Sequence, residues 1–102
     1  MQDTIYAIIG DTLSITANIN TLDDIIVDRV EFSCNELNIK KDLDRLDNNI
    51  YSCKFEPYDT INLKCGIFVA TITIYVGDIK TSKEFTLFVQ DNINKGEIVF
   101  NP

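Results

Sequence analysis

Residues able to do chemistry are sparse in this 102-residue chain, and the most versatile of them is missing. With no histidine, the commonest general base and metal ligand is absent, so Ser-His-Asp and Cys-His constellations cannot be assembled from this chain. Cys34, Cys53 and Cys65 show no CxxC spacing and have no histidine companion, which argues against a zinc site. Cys65 precedes Gly66 at the entry to a strand, with Lys64 as its adjacent cation. A nucleophilic thiol needs a lowered pKa, and one neighbouring lysine is thin support, so an inert thiol is expected. An odd number of cysteines without a secretory leader points to reduced thiols; Cys34 and Cys53 are the pair a sandwich could bring together.

Carboxylates are more plentiful. "DLDRLDNN" (42–49) gathers Asp42, Asp44 and Asp47, but Arg45 and Leu46 interrupt the calcium-loop pattern and no glycine follows. "TLDD" with Asp28 makes a second acidic loop, and solvated turns are the expectation for both. The four glycines are scattered at strand boundaries rather than gathered into a phosphate loop. Aromatic and basic residues do not alternate, and a net charge of −7 repels phosphate backbones and anionic bilayers. No catalytic residue, cofactor or metal is expected, nor a nucleic-acid or membrane partner, and a small-molecule ligand is not anticipated.

The elements that would position any site are strands. Period-two alternation dominates: Leu13, Ile15, Ala17 and Ile19 share one face, as do Val30, Phe32 and Cys34, and Tyr51, Cys53 and Phe55. "TIYAII" (4–9) reads as a short first strand, "LNIKKDL" as a weak edge strand, and 42–49 as a turn. "EPYDTINLK" carries Pro57 and suits a bend or a single helical turn. Residues 65–91 form the clearest pair. Phe68, Ala70, Ile72, Ile74 and Val76 face one way; Val69, Thr71, Thr73 and Tyr75 face the other. The hairpin turns at Gly77-Asp78, its second strand beginning near Ser82 after a polar tip at 78–81. About seven short strands predict an all-β fold, an antiparallel β-sandwich of immunoglobulin-like type, with a small β-barrel as the alternative. The sandwich is expected over 1–92, with 93–102 as an extension whose Ile98-Val99-Phe100 cluster forms an added strand or an intersubunit contact.

Two segments also carry a family resemblance. "IIGDTLSITANI" resembles the start of immunoglobulin-like domains in tail and baseplate proteins of phages of Gram-positive bacteria. "YDTINLKCGIFVATITIYVGDIKTSKEFTLFV" is similar to their closing pattern of turn, glycine, hairpin and Phe-x-Leu-x-Val strand. The N-terminal domain of the baseplate upper protein type is the nearest comparison; Ile67-Phe68 stands where that family usually has Tyr after the glycine. The resemblance implies a non-enzymatic structural or assembly subunit of a phage tail, baseplate or phage-tail-like particle. It would be made in a bacterial cytoplasm without a signal peptide, and its partners would be other particle proteins or itself. Contact residues are then expected among outward apolar side chains, Val69, Tyr75 and Phe88, and in the tail, Ile98, Val99 and Phe100. A carbohydrate- or protein-binding module using the loops at Asp23–Asp28 and Asp42–Asn49 is the competing expectation, followed by a domain of a larger adhesin.

Overall fold

The computed structural model describes residues 4–21 and 25–91. The chain is built of seven strands: β1 (Thr4–Ile8), β2 (Leu13–Asn18), β3 (Arg29–Cys34), β4 (Ile39–Arg45), β5 (Ile50–Phe55), β6 (Gly66–Val76) and β7 (Ile79–Gln90). One helical turn, α1 (Pro57–Thr60), separates β5 from β6. The alternating apolar sets fall inward as their spacing requires, and Leu13, Ile15, Ile19, Val30, Phe32, Cys34, Tyr51, Cys53 and Phe55 are all buried. Phe32 sits at the centre, its ring 5.7 Å from Phe55 in an edge-on arrangement and 5.8 Å from Phe85. It thereby ties β3 to strands on either side of the core. Burying such a ring contributes about 1.5–3 kcal/mol.

The strands join in one continuous order, β1-β7-β6-β3-β4-β5-β2, curled so that the sheet is nearly a barrel. The sheet is mixed, where a purely antiparallel one was expected: β1 runs parallel to β7, from Thr4 beside Thr86 to Ile8 beside Gln90. The reason lies in the turn that follows. Gly10 adopts φ 84°, and Asp11 N–H closes the turn on the Ile8 carbonyl at 3.0 Å. A hairpin would have laid β2 against β1, yet Ile9 N–H donates instead to the Gln90 carbonyl at 2.9 Å. Gly10 N–H donates to Thr60 Oγ1 at 3.1 Å, and that hydroxyl donates to the Asp11 carbonyl at 2.7 Å. With these groups engaged by β7 and α1, the chain crosses to β5, and β2 pairs there from Leu13–Phe55 to Asn18–Ile50. Thr60 is buried, so each of these bonds replaces one to water.

Two local expectations are corrected. β7 begins at Ile79 rather than Ser82, because Val76 pairs with Ile79 across a two-residue turn. Gly77 takes φ 57° at its first position while Asp78 keeps a negative φ, and Asp28 Oδ2 accepts the Gly77 N–H at 2.6 Å. The carboxylate that fixes this turn is 49 residues away in sequence. Likewise, Asp42–Arg45 belong to a strand rather than a turn, and β4 is interior rather than an edge. It pairs with β3 from Ile39 to Leu43 and with β5 at Asp44 and Arg45, passing from one side of the curl to the other. Buried Leu43 anchors it, and the turn occupies only 46–49. The expected extension, with Ile98, Val99 and Phe100, lies outside the described residues.

Candidate interaction face

The five strands β1-β7-β6-β3-β4 present one outward face, and register alone sorts its side chains into rows. At one end, Tyr6 stands beside Phe88, and Phe88 beside Ile67. The adjoining row is Thr4, Thr86 and Val69. Tyr6 is 64% exposed, Ile67 68% and Val69 48%, with Ile8 also exposed at the margin. The Tyr6 and Phe88 rings pack at 5.7 Å with a 36° tilt, leaving Phe88 half-buried. The result is a contiguous apolar end spanning three strands. Scattered surface apolar residues are ordinary; here they are aligned in adjoining rows.

The other end of the same face is polar. Its rows are Glu84-Thr71-Ser33-Lys40, then Ser82-Thr73-Glu31-Asp42, then Lys80-Tyr75-Arg29. Although they point outward, Glu31 and Thr73 are buried. Tyr75 donates its hydroxyl to Glu31 Oε1 at 3.3 Å, while Arg29 and Lys40 approach Oε2 at 3.6 and 3.8 Å. Arg29 also lies 4.2 Å from the Tyr75 ring centroid and 3.8 Å from Asp42. Contact with Tyr75, ahead of the charges of Asp42 and Glu31, holds the guanidinium above its ordinary pKa. Thr73 and Ser82 share a hydroxyl hydrogen bond of 3.0 Å.

The expected contact residues therefore separate. Val69 and Phe88 lie together in the apolar end, whereas Tyr75 is ~20 Å away along β6 at the usual strand rise, engaged with Glu31 and Arg29. Tyr6, Ile8 and Ile67 join the apolar end without having been anticipated. Ile67 could have been reached by continuing the Val69–Thr71–Thr73 alternation one step back. Tyr6 could not, because its neighbours come from a strand some eighty residues later. Of the two acidic loops, Asp28 is committed to Gly77 and Asp42 and Asp44 lie on β4, while Asp23 and Asp24 lie outside the described residues. No group of three or more His, Cys, Asp or Glu side chains is placed to hold a metal ion among the described residues.

The thiols are equally quiet. Cys34 and Cys53 are buried and unpaired, and Cys65 is exposed. Burial pushes the Cys53 thiol up to about 11 and raises that of Cys34, the opposite of an activated nucleophile.

No family model matches this chain, and neither does any curated protein. Among solved structures it is similar to the endo-beta-1,4-mannanase from Thermotoga petrophila, with a TM-score of 0.68 at 11% sequence identity. The likeness covers 90% of this chain but 18% of the mannanase chain, and at that identity it speaks for the fold alone.

Proposed function

We propose that the chain is an immunoglobulin-like module that carries no chemistry of its own and works as a structural subunit, through the apolar end of its outward face. The single observation behind this is the alignment of exposed Tyr6, Ile67 and Val69 with half-buried Phe88 across β1, β7 and β6. The order β1-β7-β6-β3, with its first strand parallel to its last, supports the immunoglobulin-like assignment. The resemblance of "IIGDTLSITANI" and of residues 58–89 to phage tail and baseplate domains supplies the setting: a tail, baseplate or phage-tail-like particle. There the partner is another particle protein or a second copy. Thr60 joins the two resembling segments physically, accepting from Gly10 and donating to Asp11.

The test is a photo-crosslinking amino acid placed at Val69, and at exposed Ser14 on β2 as a control, in particles purified intact from the producing cells. Val69 is expected to crosslink to an identified particle protein or to a second copy, and Ser14 to give at least tenfold less product. A chain absent from particles, or one that crosslinks equally from both positions, would sink the proposal.

A further inference from the structure

The polar end of the outward face carries an open groove of about 420 Å³ between β4, β3, β6 and β7. That volume is within the range of small-ligand sites, roughly 300–1,000 Å³. Its floor is the Glu31 carboxylate, whose side chain is only 9% exposed, beside the Thr73–Ser82 hydroxyl pair. Ser33, Asn35 and Asn38 complete one wall, the asparagines carried by a 3₁₀ turn (Asn35–Leu37) that ends with Asn38 at φ 57°. Lys40 and Lys80 stand at the two sides, both exposed.

Charge sets the groove apart from the rest of the molecule. Two lysines line it against one carboxylate, in a chain whose net charge is −7. Lys40 is already drawn to Glu31 at 3.8 Å, with Arg29 on the same oxygen. Lys80 makes no ion pair among the described residues, so it is the cation left to offer. Position matters as much as charge. The groove lies on a sheet face whose strands pair on both sides, so an extended peptide cannot add there as a further strand. Recognition falls to side chains: hydroxyls, amides, a carboxylate that accepts and an ammonium that donates. Such a set matches a ligand bearing many hydroxyls and one negative charge.

We infer that this groove binds a carboxylated saccharide, its hydroxyls meeting Ser33, Ser82, Asn38 and Glu31 and its carboxylate meeting Lys80. The inference is independent of the apolar end and would survive failure of the structural reading.

Titration of the full chain with cellobiouronate, a disaccharide bearing one carboxylate, followed by calorimetry and by amide chemical shifts, tests it. Saturable shifts are expected at Ser33, Asn38 and Lys80, with no response to a neutral cello-oligosaccharide. Lys80→Glu, at an exposed position, should weaken binding at least tenfold, while the matched charge change Lys64→Glu alters it less than twofold. Ser33→Ala gives a second, charge-neutral variant, expected to weaken binding severalfold. No binding, equal binding of the neutral saccharide, or equal losses from Lys64→Glu and Lys80→Glu would overturn the inference. Tighter binding of a poly-glutamate peptide would replace the saccharide with an acidic polypeptide.

Discussion

The two ends of the outward face share the same strands and pairing register, yet they invert the usual rule of burial. At the polar end, Glu31 and Thr73 are shielded at 7% and 6% exposure; at the apolar end, Ile67 and Tyr6 stand open at 68% and 64%. The difference is one of side-chain reach. Arg29, Lys40 and Tyr75 are long and carry polar tips, so they fold over their neighbours while keeping those tips wet. In the rows around Ile67, the one long side chain in ring contact, Tyr6, packs on Phe88 and leaves Ile67 and Val69 open. One end therefore shields its own buried polar groups, and the other leaves its apolar groups open.

The comparison breaks most severely at the scaffold both ends share. Phe32→Ala removes the ring that meets Phe55 and Phe85 beneath the face, and should cost about 3–5 kcal/mol in urea denaturation. If the loss were below ~1 kcal/mol, the two ends would not rest on a common core.

Paired substitutions sharpen the contrast. Glu31→Ala should cost about 1–2 kcal/mol, since it removes the acceptor that Tyr75, Arg29 and Lys40 converge upon. Ile67→Ser should change the stability of the isolated chain by no more than ~0.5 kcal/mol, because its side chain is already in water. Reversed ranks in the same assay would mean that the apolar end is closed within the chain.

A smaller effect follows from the thiol beneath β5. The Cys53 pKa is raised to about 11 in the folded chain, against an ordinary value near 9. The folded state thus keeps its proton where the unfolded state has lost it. Stability contributed by the neutral thiol is full below pH ~9 and falls as pH rises toward 11, by roughly 1–2 kcal/mol. Measured as the difference between the parent chain and Cys53→Val, so that tyrosine and lysine titrations cancel, the loss should appear between about pH 9 and 11. A flat difference would show that the thiol is not shielded by the core.

Legibility from sequence followed how local each cause is. Leu13–Ile19, Val30–Cys34 and Tyr51–Phe55 announce their buried faces because alternation is written in adjacent residues. β4 hides because Lys40, Lys41 and Asp42 break its pattern between partly buried Ile39 and buried Leu43, its two residues against the core. The start of β7 is not legible because Asp28, adjacent in space but 49 residues away in sequence, fixes the turn at Gly77. The parallel partner of β1 could not be read at all, since the competing hairpin is prevented by Thr60 and Gln90. For the outward face, the apolar character of Val69 and Phe88 was visible. The company of Tyr6 and the separation of Tyr75 were not, because both depend on register between strands distant in the chain.

The parallel pairing of β1 with β7 also has a mechanical meaning. Thr4 lies beside Thr86 at one end of the pair and Ile8 beside Gln90 at the other, so the chain enters low and leaves high. Tension between Thr4 and Gln90 would pull the strands lengthwise past one another, loading their hydrogen bonds together. In an antiparallel terminal hairpin the same pull would open the bonds singly, like a zip. Geometry of this kind suits a part that must hold while its neighbours are being tugged.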